Sequence, residues 1–212
     1  DPIGFDCLKT DMHSHLIPSI DDGSDSIEDS INMIKSLQKL GYQKIITTPH
    51  VMIDFYKNTP KTILLGLEQL RIELQKKNIS VQLEAAAEYY LDCEFEEKIK
   101  AGNLLTFSDN YILVETSFME APPNFKELIF QLQLAGYKVI LAHPERYPFM
   151  SMVDYEDLHS RSVFMQLNLL SLIGHYGIDV QNKANKMIEQ GFISFVGTDC
   201  HHMGHAAIYE KC

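Results

Sequence analysis

The chain has 212 residues, 45% of them hydrophobic and 22% charged, an ordinary balance for a globular protein long enough to bury a sizeable core. Its formal net charge of −11, with only three arginines (Arg71, Arg146, Arg161), excludes the clustered basic surface that nucleic acid or an anionic membrane demands. No apolar run approaches the roughly 18 residues of a membrane span. No signal peptide is visible either, so a cytoplasmic protein of one domain over residues 1–212 is expected. Four scattered cysteines (Cys7, Cys93, Cys200, Cys212) form no C-x-x-C, which predicts reduced thiols rather than a disulfide frame or zinc knuckle. None begins a C-x5-R, the pairing that would supply a thiolate nucleophile with a phosphate-gripping arginine.

In chain order, Thr10-Asp11-Met12-His13-Ser14-His15 reads as an extended strand, whose alternation puts His13 and His15 on one face. Two imidazoles on one face can share a divalent metal, and Asp21-Asp22-Gly23 follows closely. Apolar residues at 27, 31, 34, 37 and 40 predict a helix capped by Ser24 or Ser26 and stopped at Gly41. A buried strand over 44–48 runs out at Pro49-His50. Thr59 and Pro60 open a second helix reaching about Lys77, and a strand over 81–87 ends at Glu88. A short helix near 92–101 precedes a strand over 111–114 ending at Glu115. A helix over 125–135 precedes a strand over 138–142 ending at His143. The rest reads as a polar helix near 155–160, a strand over 163–167 ending at Asn168, a helix over 180–190, and a strand over 193–197 leading to Asp199 and His201.

One phrase recurs: helix, glycine, aromatic, apolar strand, polar ligand type. It occurs at Gly41-Tyr42 to His50, Gly136-Tyr137 to His143, and Gly191-Phe192 to Asp199. That is the grammar of β/α units with parallel strands, and seven strands so spaced predict a closed or nearly closed barrel. An open doubly wound sheet is the alternative, but no Gly-rich phosphate loop follows the first strand. In such barrels the C-terminal strand ends carry the active site, which places His13, His15, His50, Glu88, Glu115, His143, Asn168 and Asp199 around one mouth.

Singly, Glu88 reads as a capping acid, Glu115 as a solvated loop carboxylate, and His50 or His143 as hydrogen-bonded strand-end histidines. Four carboxylates and five histidines brought together would be mutually costly without cations. Imidazole and carboxylate without thiolate suit manganese, iron or zinc in a catalytic role, and the number of ligands points to two or three divalent ions. Such clusters acidify a bridging water and clamp the oxygens of a phosphate ester, and Arg146 could grip the phosphoryl group. The reaction expected is metal-assisted phosphate-ester hydrolysis, with hydroxide as the nucleophile.

Together, D-M-H-S-H-L-I-P-S-I-D-D-G, T-P-H, A-A-A-E-Y-Y, I-L-V-E, A-H-P-E-R-Y and G-T-D-C-H-H resemble the polymerase-and-histidinol-phosphatase (PHP) superfamily. Within it they are most similar to the bacterial manganese-dependent protein-tyrosine phosphatases of capsule and exopolysaccharide clusters. The resemblance runs from about Asp11 to His202 and implies a distorted TIM-like (β/α)7 barrel with a trinuclear site. It implies His13, His15, Glu88 and Asp199 on one metal, with Glu88 bridging to a second held by Glu115 and His143. Asp22, His50 and His201 would hold the third. Arg146 would bind phosphate beside the catalytic Asp199 and His201. The implied substrate is the phosphotyrosine tail of a tyrosine autokinase; a histidinol-phosphate or other small-molecule phosphatase is the alternative. The resemblance also implies a second arginine after the last D-x-H, where this chain reads His202-Met203-Gly204-His205-Ala206, leaving His205 as the available substitute or phosphate binding weaker.

Overall fold

The computed structural model describes residues 8–209; Cys7 and Cys212, two of the expected free thiols, lie outside them. Strands and helices alternate along β1 (Thr10–Asp11), α1 (Ile27–Lys39), β2 (Lys44–Thr47), β3 (His50–Val51), α2 (Pro60–Lys76), β4 (Gln82–Ala85), β5 (Glu88–Tyr90), α3 (Phe95–Ala101) and β6 (Tyr111–Glu115). They continue through α4 (Phe125–Leu134), β7 (Lys138–Ala142), α5 (Met152–Ser160), β8 (Phe164–Asn168), α6 (Leu169–Leu172), α7 (Ile178–Glu189), β9 (Phe195–Gly197) and α8 (Met203–Tyr209). Among the described residues every strand pairing is parallel, in the orders β1-β2-β4 and β3-β5-β6-β7-β8-β9.

The two sheets are one barrel in which two staves are broken. β2 and β3 form one stave interrupted at Thr48-Pro49, and β4 and β5 another interrupted at Ala86-Ala87. Pro49 has no N–H to give to a ladder, so the run cannot continue straight through it. Its carbonyl still accepts from the Glu88 amide at 3.1 Å, and the Thr48 amide turns to Ser14 O at 2.7 Å. The kink carries His50 and Glu88 inward together, in register with each other. Counting broken staves once gives seven, as the barrel reading requires, and the circle closes where the Asp199 amide donates to His13 O at 2.7 Å and the His15 amide to Cys200 O at 2.9 Å.

Ladder pairing in the first strand is shorter than the extended run expected over residues 10–15. Only Thr10–Asp11 is paired as strand, and Ser14 adds an isolated bridge to Cys200. Met12 to His15 are all buried, so exposed and buried side chains do not alternate there.

The helices form where their caps and apolar stripes fall. Ser26 accepts from the Asp29 amide, Thr59 and Ser151 form reciprocal capping boxes, and Pro60 occupies the first position of α2. On α2, Ile63, Leu67, Leu70 and Leu74 face the core. At roughly 1.5–3 kcal/mol for each buried aliphatic side chain, this outweighs the roughly 1 kcal/mol helix penalty of Gly66. Gly66 is there for contact: a Cβ would stand 2.4 Å from Ile17 Cγ2. Two helices, α6 and α8, were not expected from the sequence. α8 packs against α1, buries Ala206 and Tyr209, and its Tyr209 hydroxyl donates to Thr198 O. Among the described residues no helix is long and apolar enough to cross a membrane, and Cys93 and Cys200 carry free thiols.

Candidate metal and phosphate site

His13, His15, Asp22, His50, Glu88, Glu115, His143, Asp199 and His201 all stand at the C-terminal end of the barrel. All but the exposed-to-intermediate Asp22 and His201 are buried. Each reaches it by a local device. Glu88 and Glu115 are the first residue of β5 and the last of β6. His143 follows β7 directly and Asp199 lies two residues after β9, with left-handed backbones of φ 34° and 53°, a strained turn for residues with a Cβ that redirects each side chain into the mouth.

Glu88 is the hub. Its Oε2 lies 3.1 Å from His13 Nε2, 3.2 Å from His50 Nδ1 and 3.4 Å from His15 Nε2, while Oε1 lies 3.1 Å from His143 Nε2. Asp199 Oδ1 is 3.3 Å from His13 Nε2 and 3.5 Å from His15 Nε2, and Glu115 Oε1 is 2.8 Å from His50 Nδ1. Among the described residues, potential donor atoms gather within 4.8 Å of one another in four overlapping groups. These are His15-Asp22-His50-His201, His13-His15-Glu88, His13-His143-Asp199 and His50-Glu88-Glu115. His143 thus groups with His13 and Asp199, and its Nε2 stands 3.8 Å from Glu115.

Hydrogen bonds behind the cluster fix which ring nitrogen faces inward. His13 Nδ1 is 2.7 Å from Gln166 Oε1, and the Gln166 amide nitrogen donates to Leu167 O and Asn168 Oδ1, so the His13 ring is the donor. His15 Nδ1 donates to Asp21 Oδ2 at 2.8 Å, and His201 Nδ1 to Asp199 O at 2.9 Å. The Nε2 lone pairs of His13 and His15 therefore point into the centre only 3.3 Å apart, beside ionised carboxylates. Among the described residues, buried His50 Nδ1 and His143 Nδ1 have no aligned hydrogen-bond partner. With the inward nitrogens unprotonated, acceptors would face acceptors, an arrangement that protons bridge in the metal-free protein and that divalent cations fit.

The electrostatics agree. Burial opposes charge on His50, but Glu88 and then Glu115 carry its pKa up to about 9. Burial likewise opposes a charged His15, and Asp21 leads the groups that hold its pKa well above the usual imidazole value. Glu88 and Asp199 stay ionised despite burial, held well below the ordinary carboxylate range chiefly by His13, with His50 and His201 following respectively. The cavity calls for positive charge.

Arg146 stands at the edge of the cluster, in a one-turn 3₁₀ segment opened by Pro144. Its Nη1 donates to Asp199 Oδ2 at 3.0 Å, and its guanidinium lies between the rings of Phe118 (4.6 Å) and Tyr176 (4.3 Å). Its remaining donors face a cavity of about 290 Å³ shared with Asp22, His201, His202 and His205. His205 Nδ1 accepts from the His201 amide at 3.4 Å, which leaves its Nε2–H as a neutral donor.

Several functional side chains escaped the sequence reading. Asp21, rather than only its neighbour Asp22, orients His15 and accepts from the His50 amide at 3.1 Å; the D-D-G signal contained it. Buried Asp11 accepts from the Thr198 amide and hydroxyl at 2.9 and 2.8 Å, tying β9 to β1. Gln166 sits inside β8 and carries no sequence signal at all. Gly197 is the close approach that lets His13 and Gln166 meet, since a Cβ there would stand 2.7 Å from His13 Cβ and 2.9 Å from Gln166 Nε2. Gly197→Ala should therefore lower metal affinity roughly 10–100-fold by displacing the orienting partner of His13. Equilibrium metal titration checks it, and unchanged affinity would remove this role.

A parallel seven-stave barrel with imidazoles and carboxylates converging at its strand ends defines the class: a metal-dependent hydrolase of the TIM-like α/β kind. The chain belongs to the capsular polysaccharide synthesis CpsB/CapC family, which it matches over residues 9–209. It is 31% identical over 198 residues to the tyrosine-protein phosphatase YwqE of Bacillus subtilis (strain 168), spanning 91% of this chain and 77% of that protein. It is 22% identical over 205 residues to the tyrosine-protein phosphatase CpsB of Streptococcus agalactiae, spanning 91% and 83%. A chain from the crystal structures of YwqE from Bacillus subtilis and CpsB from Streptococcus pneumoniae, described as metal-dependent tyrosine phosphatases, superposes with a TM-score of 0.85 at 29% identity, covering 95% of this chain and 86% of that one.

Proposed function

We propose that this protein is a metal-dependent phosphotyrosine-protein phosphatase of capsule or exopolysaccharide synthesis. In this reading residues 1–212 act as one catalytic domain in the cytoplasm, on the phosphotyrosine tail of a tyrosine autokinase. The observation that carries it is the convergence of inward-facing imidazole lone pairs on Glu88 and Asp199, with Arg146 held alongside. His13, His15, Asp22, His50, Glu88, Glu115, His143, Asp199 and His201 would hold two or three divalent ions, manganese first and iron or zinc as alternatives. Bound there, such ions supply Lewis acidity to phosphoryl oxygens and lower the pKa of water.

The chain's own residues supply orientation. Arg146 offers donors to the non-bridging oxygens, and its stacking between Phe118 and Tyr176 limits the rotamer freedom lost when it binds them. The His205 Nε2–H adds a neutral donor on the same side, where the family resemblance implies a second arginine. A phenol leaving group titrates near 10, so its departure demands less proton donation than an alkanol's.

The test is hydrolysis of a phosphotyrosyl peptide by EDTA-stripped protein, with and without added manganese, beside histidinol phosphate. Manganese-dependent release from the peptide alone is the expected result. Release from histidinol phosphate alone would reassign the substrate, and equal peptide turnover without metal would overturn the mechanism.

A further inference from the structure

A second cavity, of about 410 Å³, meets the cluster beside the one that Arg146 lines, with Asp22 shared between them and Phe118, stacked on Arg146, in its wall. Asp22, His50 and Glu115 belong both to its lining and to the donor groups, so its floor is the edge of the donor cluster itself. Its walls have a different chemistry. Phe55 and Tyr56 come from the loop after β3, and Phe118 and Met119 from the loop after β6. Phe55 and Met119 are 74% and 83% exposed, large apolar side chains that no core contact accounts for.

The first wall is built in advance. Met52 and Tyr56 exchange backbone hydrogen bonds at 2.8 and 3.1 Å, the Ile53 amide donates to Asp92, and Asn58 Nδ2 donates to the carbonyls of Ile20 and His50 at 2.9 Å. The Tyr56 ring lies nearly parallel to His50, 16° off with centroids 5.6 Å apart. Across the cleft Phe118 presents an aromatic wall, braced by Arg146 and by His143 at 5.7 Å. The mouth therefore has a polar side, carrying Arg146 and the histidines, and an aromatic side, with Asp22 lining both cavities.

For a phosphoryl group over the cluster with its free oxygens toward Arg146, the adjoining aromatic cleft is a space open to its ester substituent. Resting on the phosphatase reading, we propose that this cleft is the aryl-binding subsite that selects aromatic phosphate esters, with Phe55, Tyr56, Phe118 and Met119 as its specificity-determining residues. The occupant is the phenyl ring of phosphotyrosine. A cleft of this size takes the ring, and the exposed rim at Phe55 and Met119 leaves room for the flanking peptide.

The experiment compares phenylphosphonate, methylphosphonate and inorganic phosphate by calorimetry on the manganese-loaded protein and on F55A/M119A, whose exposed side chains can be removed without opening the core. The wild-type protein should bind phenylphosphonate roughly tenfold more tightly than methylphosphonate, and the double variant should lose most of that preference while keeping its affinity for inorganic phosphate within about twofold. In parallel, the KM for a phosphotyrosyl peptide should rise by a similar factor. No wild-type preference for the aryl ligand, a preference that survives in the variant, or equal weakening of all three ligands would each overturn the proposal. Failure of the wild-type protein to hydrolyse the peptide would instead overturn the phosphatase reading, with the phosphonate comparison still judging the cleft.

Discussion

Glu88→Gln should lower turnover of a phosphotyrosyl peptide by about a hundred- to a thousandfold and reduce the bound metal. The substitution keeps the shape of the side chain but removes one negative charge and replaces one acceptor by a donor. Four imidazoles depend on that carboxylate, with His13, His15, His50 and His143 all within 3.4 Å of its oxygens. An amide NH₂ facing these nitrogens can hydrogen-bond a lone pair but cannot share a cation with it. The fold should survive, because the metal-free variant exchanges a buried charge for a neutral group with partners at hand. Glu88 also leads the groups that raise His50 to about 9, so the His50 titration in metal-free variant should move toward the ordinary imidazole value. Metal analysis, steady-state kinetics and an NMR pH titration read the three effects separately. Wild-type metal content together with wild-type turnover would remove Glu88 from the centre of the site.

The barrel was legible because its grammar is local. Gly41, Gly136 and Gly191 follow the helices and take left-handed backbones of φ 103°, 88° and 71°, each leading into an aromatic residue. Strand-end residues then fell at one mouth because parallel topology leaves them nowhere else. The broken staves were not legible as geometry: Pro49 signals an interruption, but Ala86-Ala87 looks like uninterrupted strand, and only pairing across β3 and β5 shows the break. Residues that aim the donors were the least visible. Gln166 contacts His13 across 153 positions of sequence, and Arg146 is clasped by Phe118 and Tyr176 from two different loops. Such contacts belong to the closed barrel, and no periodicity records them. His205, on α8, lines the same cavity as Arg146, a proximity that the sequence pattern around His202-Met203-Gly204-His205 does not record.

The stabilities of the metal-free and metal-loaded proteins should diverge as pH rises. Stripped of metal, the protein should lose stability as pH rises from about 6.5 to about 9. Burial disfavours a charged His50, yet Glu88 and Glu115 lift its folded pKa to about 9 from the ordinary imidazole value of 6.5. Below 6.5 both folded and unfolded chains hold the proton, and the favourable pairing is fully present. Between the two values the unfolded chain releases its proton while the folded one keeps it, and above 9 the contribution is gone. At about 1.4 kcal/mol per pH unit, His50 alone corresponds to about 3 kcal/mol, or roughly 6–12 °C in Tm for a chain of this size. His15, raised in the same direction, adds to the trend. Glu88 and Asp199, lowered by their histidine neighbours, contribute stability that is lost only in acid, as pH falls through their depressed values. A divalent cation competes with those same imidazole protons, so manganese affinity, and with it the Tm gained on loading, should grow across the interval in which the metal-free protein weakens. Thermal melts followed by circular dichroism, with EDTA and with manganese, at several pH values from 6 to 9.5 would show the two curves diverging. A metal-free protein whose stability stays level or rises over that range would mean that the buried imidazoles carry no protons for the metal to replace.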